Sequence, residues 1–260
     1  MNSVTKQQVI EIFHALDIVP GDGLLVHSAL QFLGLPQGGE GMYLEALQSV
    51  IGSQGTIAVP TFNFAFAKGE DYDPLTTPSV GMGAYSEYVR QRPEALRTTH
   101  PMQSLAVIGA HAQDLAGRDT PSAFDDRSAF ARMLELDYKL VLLGADIEAS
   151  SIAHYSELRA EVPYRYWKDF TGRILLNNNW ETCTYRMFVR DLEINPLLTG
   201  VPVQALLESK GQWTSEPLNY GFISVCSMRD FVATTDEILA KDIWSLVTNQ
   251  PADQYISKSG

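Results

Sequence analysis

The chain has 260 residues, 45% of them hydrophobic and 19% charged, and a formal net charge of −12. That length buries a core without disulfides or a structural metal. The acidic balance excludes the basic footprint of sequence-independent nucleic-acid binding and disfavours an anionic membrane surface as partner.

The first residues, MNSVTKQQVIEIFHAL, lack the apolar run of a secretory signal. A helix is expected to start near Thr5, with Gln8 as capping-box partner and Val9, Ile12, Phe13 and Leu16 on one apolar stripe. Residues 23–26 begin a buried strand that turns at His27-Ser28-Ala29-Leu30. Residues 38–41, Gly-Gly-Glu-Gly, read as a bare turn or as an anion cradle before a helix with Tyr43, Leu47, Val50 and Ile51. Gly52 lies just past its end. Residues 56–59 form the next strand, closed by Pro60. Residues 61–80 are irregular and carry Phe62, Phe64, Phe66 and Tyr72, the profile of a functional or partly mobile loop. A helix at 83–92 stops before Pro93. Strands at 104–108 and 140–143 follow, then a helix over 152–162 closed by Pro163.

This alternation predicts an α/β fold: a mixed, largely parallel central sheet with flanking helices. The last third differs. Residues 173–176 and 182–189 alternate in period two around Asn177-Asn178-Asn179, a hairpin signal. A helix near 203–209, a strand near 219–226 and a helix near 229–240 complete an added antiparallel C-terminal portion. The chain is expected to form one unit over 1–260, with a core at 1–165. Cys183 and Cys226 are too sparse for a disulfide framework or zinc spacing. No apolar run reaches the roughly 18 residues of a membrane span. A soluble cytoplasmic protein without a metal, either monomer or homodimer, is expected.

Dinucleotide, P-loop, zincin and nucleophile-elbow motifs are absent. Of five histidines, His14 and His111 read as surface or cap residues. His27 ends a strand, and His100 precedes one, at the opposite end of the sheet unless that strand runs antiparallel. His154 opens a helix at the carboxyl end of a strand, where α/β sheets collect ligands. His154 and Glu157 share a helix face, so the carboxylate can hold one ring nitrogen and leave the other as a base. Many surface helices carry the same spacing.

Six segments occur in one order: HSAL at 27–30, GTIAVPTF at 55–62, Thr77-Pro78-Ser79 with Gly81, RTTHPMQS at 97–104, LLGA at 142–145 and AHYSE at 153–157. Together they resemble the aminoglycoside 3-N-acetyltransferase family over about residues 20–165. The resemblance implies an α/β fold distinct from the common GNAT acetyltransferases. It implies direct transfer of an acyl group, by default from acetyl-CoA, to an amine, without an acyl-enzyme. The family's catalytic histidine corresponds to His154, with Glu157 as its carboxylate partner. Its coenzyme A segments correspond to His27, Ser28, Ala29 and Leu30, and to Arg97, Thr98, His100 and Ser104. The Ser28–Leu30 amides or a hydroxyl are candidate oxyanion donors.

Other readings stand beside these. Ser28 and Ser104 also fit a strand end and start, Arg97 a surface pair with Glu94, and His100 a structural role in its own loop. Thr61 is a candidate lining residue. Asp71 and Asp73 either attract a cationic substrate or are simply solvated. Tyr164, with Tyr166 and Trp167, either stacks on substrate or packs in the core. Residues 166–260 are expected to shape the acceptor site. VPYRYWKDFTGRI at 162–174 looks more like the family's surface-glycan enzymes, and Ser156 stands where resistance enzymes commonly carry alanine. The sequence therefore points to a nucleotide-linked or surface-glycan precursor amino sugar as acceptor. An aminoglycoside, as in antibiotic resistance, is the alternative. A silent coenzyme A-binding module and a thioester hydrolase are the readings of another class.

Overall fold

A computed structural model describes residues 3–250. Residues 1, 2 and 251–260, which belong to the expected unit and to the segment read for a signal, lie outside them. Strand β1 (Ser3–Val4) leads into helix α1 (Lys6–Ala15). Thr5 caps α1 as expected: its hydroxyl accepts from the Gln8 N–H, and the Gln8 side chain accepts from the Thr5 N–H. Then come β2 (Gly23–Ser28), β3 (Leu35–Pro36), α2 (Gly41–Ile51), β4 (Thr56–Pro60), α3 (Gly83–Arg90), β5 (Leu96–Arg97) and β6 (Leu105–Gly109). Next are α4 (Ala112–Ala116), α5 (Ala129–Glu135), β7 (Lys139–Leu143) and α6 (Ala153–Arg159). The remainder holds β8 (Arg165–Leu176), β9 (Asn179–Arg190), α7 (Val201–Ser209), β10 (Thr214–Leu218), β11 (Gly221–Ser227) and α8 (Met228–Lys241).

Seven strands form one sheet in the order β10-β11-β7-β2-β4-β6-β5. The neighbours β7, β2 and β4 are parallel, and antiparallel pairs extend both edges. Because β10 and β5 each lie two antiparallel steps from this centre, five of the seven strands point the same way. The mixed, largely parallel sheet is therefore as expected.

Side-chain alternation builds two cores. Leu24, Val26, Val141 and Leu143 pack with Val9, Phe13, Tyr43, Leu47 and Val89 of α1 to α3. Leu25, Leu140 and Leu142 pack with Phe130, Phe231 and Leu239 on the other face. Each such fully buried side chain stabilises the fold by roughly 1.5–3 kcal/mol.

Strand β6 runs antiparallel to β4. The turn carrying His100 to Ser104 therefore sits at the carboxyl end of β4, the case in which His100 shares an end of the sheet with His27 and His154. Strands β8 and β9 form a separate hairpin of 12 residues each. Its two-residue turn, Asn177 and Asn178, has φ of 50° and 64°, the left-handed pair a tight hairpin turn needs. The hairpin begins earlier than its sequence signal, because residues 165–169 are largely exposed and show no alternation. The aromatic loop at 61–80 is tied to it: the Tyr72 N–H donates to the Arg173 carbonyl and the Leu175 N–H to the Tyr72 carbonyl, both at 2.9 Å. Helices α4 and α5 and strand β10 are too short for periodicity to reveal, and α6 ends three residues before the predicted boundary at 162.

After β7 the chain turns at Gly144 with φ 71°. A Cβ there would lie 2.7 Å from the Ala29 carbonyl oxygen and 2.9 Å from Leu33 Cγ. Gly144→Ala should therefore lower unfolding stability by roughly 2 kcal/mol or more, measured by urea titration. An unchanged midpoint would contradict this packing.

Candidate active site

The carboxyl ends of β2, β4 and β7 open into a cleft of about 300 Å³ walled by His27, Ser28, Pro60, Phe62, Glu148, Ser150 and His154, among others. A second cavity of about 50 Å³ shares Glu148, Ser150 and His154 and adds Glu157, Thr199, Gly200 and Val203. A third, of about 510 Å³, adjoins the second at Ile147 and is walled by Asp146, Gln204, Glu208, Trp213, Tyr220 and Phe222. Four carboxylates, Asp146, Glu148, Glu157 and Glu208, line these spaces, and no Lys or Arg does.

His154 and Glu157 meet as their spacing predicts. The imidazole Nδ1 lies 2.6 Å from Glu157 Oε2. The His154 side chain is 29% exposed and the Glu157 side chain 2%. Among the described residues Nε2 has no partner, so it is the nitrogen left for a ligand. Burial pushes the Glu157 carboxyl up, but His154 and Arg165 outweigh it and hold it below the usual carboxylate range. Arg165 Nη2 is 3.0 Å from the same Oε2. Sequence reading missed Arg165, because nothing local marks it: it comes under Glu157 only through the turn after α6, closed by Val162 N–H to the Glu157 carbonyl.

The remaining expected site residues divide. His27 and Ser28 line the cleft. His27 Nε2 accepts from the Ser151 N–H, and burial together with the His154 charge lowers its pKa to about 3. The Ser28 hydroxyl has no partner, nor has that of Ser150, a buried cleft residue not anticipated from sequence. Ala29 and Leu30 lie beyond the wall. The Ala29 N–H donates to the Leu143 carbonyl at 2.9 Å, which removes it as an oxyanion donor.

The segment from Arg97 to Ser104 lies apart from the cleft wall. Its side chains form a knot at the end of β4 and do not face the cleft. Arg97 Nε donates to Thr61 Oγ1 and Ser104 Oγ, Nη2 to the Thr61 carbonyl, and Nη1 to the Pro74 and Thr77 carbonyls. Thr61 and Ser104 are fully buried and bonded to each other, which also removes Thr61 as a lining residue. Thr98 Oγ1 accepts from the Leu105 N–H. His100 is 5% exposed, accepts from the Gln103 N–H and packs edge-on against Tyr185, and burial lowers its pKa to about 4. Each guanidinium nitrogen of Arg97 has an internal acceptor, which engages most of its donors within the knot.

The expected substrate contacts are corrected too. Asp71 pairs with Arg173 on the hairpin. Asp73 accepts from the Leu75 N–H and the Thr76 hydroxyl in a surface turn. Tyr164 is fully buried and packs on Trp244. Gly81 and Met82, at the N-terminus of α3, line the cleft, and α3 has no side-chain cap. The glycines of Gly81-Met82-Gly83, all near the TPS motif, were the available signal. Among the described residues no group of three or more His, Cys, Asp or Glu is arranged to hold a metal ion, and no helix is long and apolar enough to cross a membrane.

An imidazole–carboxylate pair at the mouth of an α/β sheet is the arrangement of a general-base group-transfer enzyme. The sequence profile of the aminoglycoside 3-N-acetyltransferase family matches residues 25–240, and the chain belongs to that family. It is an acyl-CoA-dependent N-acetyltransferase. The chain is 30% identical over 195 residues to aminoglycoside N(3)-acetyltransferase VII of Streptomyces paromomycinus, covering 67% of each chain. It resembles a histidine-to-alanine variant of aminoglycoside acetyltransferase AAC(3)-IVa in complex with apramycin, with TM-score 0.78, 26% identity and coverage of 94% and 96% of the two chains. It shares the fold of AAC-IIIb in its binary complex with CoASH, with TM-score 0.83, 19% identity and coverage of 96% and 100%.

The buried groups set two expectations. Folded His27 and His100 stay neutral far below 6.5, whereas the unfolded chain protonates both rings below that value. Stability should therefore fall as pH drops from 6.5 toward 4, by up to about 1.4 kcal/mol per pH unit per ring. His100→Gln should flatten that slope in pH-dependent urea unfolding, and an unchanged slope would contradict a buried neutral ring. Arg97→Met should lower stability by roughly 2 kcal/mol, because it takes the donor from the Pro74 and Thr77 carbonyls, with little change in coenzyme A affinity by calorimetry. The reverse pattern would return Arg97 to the cofactor site.

Proposed function

We propose that the chain transfers the acetyl group of acetyl-CoA to an amino group of an aminoglycoside. The observation that carries this reading is the set of adjoining cavities at and beside His154, walled by Asp146, Glu148 and Glu208 with no Lys or Arg. A polycationic amino sugar is attracted to such a wall. A nucleotide-linked sugar would place its diphosphate against Asp146, Glu148 and Glu208 with no cation to meet it. The surface-glycan acceptor favoured by residues 162–174 therefore gives way to the alternative, in agreement with the family and its named relatives.

In this reading His154 Nε2 takes a proton from the amine as its nitrogen bonds to the thioester carbonyl carbon. The tetrahedral intermediate then collapses, breaking the C–S bond and releasing the coenzyme A thiolate. The unpartnered Ser28 and Ser150 hydroxyls are the available oxyanion donors. The open N-terminus of α3 fits the cofactor pyrophosphate. Residues of the C-terminal portion, Thr199 to Glu208 and Trp213, wall the acceptor side. The two free cysteines fit a reducing cytoplasm.

Thiol release from acetyl-CoA should require an aminoglycoside and should not respond to nucleotide-linked amino sugars. His154→Ala should slow it by roughly 10²-fold or more while the melting temperature holds. Release with nucleotide-linked sugars alone would restore the glycan reading. Release without any amine would indicate a hydrolase. Coenzyme A binding without turnover on any acceptor or longer acyl-CoA would indicate a binding module.

A further inference from the structure

The Glu157 carboxylate is buried and touched by an imidazole and a guanidinium from opposite ends of one turn. His154 Nδ1 and Arg165 Nη2 both reach Oε2, at 2.6 and 3.0 Å. The Arg165 side chain is only 6% exposed, too enclosed to meet a ligand. Its backbone is fixed by its N–H to the Val162 carbonyl, and its Nη1 donates to the Phe188 carbonyl on β9. An arginine is not buried at such cost without a partner charge that it compensates.

We propose that Arg165 is the positioning residue of the His154–Glu157 pair: it neutralises Glu157 from beneath, so that the pair holds an extra proton less tightly and His154 can act as a base. This rests on the reading of His154 as the base. If Glu157 had only His154 to balance it, the pair would hold a proton tightly, whichever atom carried it. A protonated pair cannot accept the amine proton.

Other charges around the pair do not replace this one. His27 on β2 is neutral, and Glu148, before α6, adds negative charge that would only favour a protonated imidazole. Arg159 on α6 is paired with Asp236 of α8, while Asp126 and Glu135 lie toward Tyr155 on the same helix. Tyr164 is un-ionised, its hydroxyl pushed up by burial and by Glu157. Arg190 on β9, the cross-strand neighbour of Arg165, also feels the Glu157 charge, but among the described residues it makes no ion pair with that carboxylate.

The test compares wild type with Arg165→Met and Arg165→Lys in kcat/KM against pH on one aminoglycoside, so that the acceptor's own titration cancels. The methionine variant should move the acid limb up by roughly one pH unit, an about tenfold loss near pH 7 that recovers in alkali. The lysine variant should return the limb toward wild type. If the methionine variant fails to fold, Arg165→Gln should show the same shift. NMR titration of the His154 ring reads the same shift with no acceptor present, which separates failure of this proposal from failure of the proposed function. A limb and a ring titration that stay in place, with activity lost equally at every pH, would overturn it and leave Arg165 a purely structural residue.

Discussion

One buried carboxylate oxygen organises the site. Glu157 Oε2 binds the catalytic imidazole on one side and a buried guanidinium on the other. An ion in that position is tolerated only with its cationic partner in place, because removing the Arg165 guanidinium leaves an uncompensated buried charge. The fold meets this condition through order along the chain. Helix α6 ends at Arg159, Pro163 closes the turn, and β8 begins at Arg165 directly beneath the helix. The start of the hairpin is thus bound to the base, although its tip, at Asn177 and Asn178, belongs to a separate two-stranded sheet.

The same region shows how much chemistry the sheet mouth supplies. Parallel β7, β2 and β4 end side by side, and the residues just past those ends form the cleft. His27 is part of that wall, yet its Nε2 is engaged by the 150–151 turn, so it braces the base and does not compete with it. A thioester is already activated toward attack, which leaves the protein two tasks: removing a proton and stabilising an oxyanion. In the proposed reaction one imidazole and the two unpartnered hydroxyls of Ser28 and Ser150 take these tasks.

Much of the fold was legible because its signals are local. The Thr5–Gln8 capping box, the Gly52 helix end, the buried strands and the paired asparagines each depend on neighbours a few residues away. The His154–Glu157 contact was legible for the same reason, since a helix places residues three apart on one face. What was not legible depends on partners distant in sequence. Arg97 resembles a phosphate ligand until β6 turns antiparallel to β4 and brings Thr61 and Ser104 onto its guanidinium. Asp71 reads as a free carboxylate until the hairpin delivers Arg173. Arg165 and Ser150 carry no pattern at all; only the fold puts them beside the base.

The central claim is that Glu157 holds the proton of His154 on Nδ1 and so leaves Nε2 as the base. Nitrogen-15 NMR of the His154 ring at neutral pH tests it most directly. The account predicts a neutral ring with a protonated, strongly hydrogen-bonded Nδ1 and an unprotonated Nε2. A ring protonated on both nitrogens, or the opposite tautomer, would contradict it.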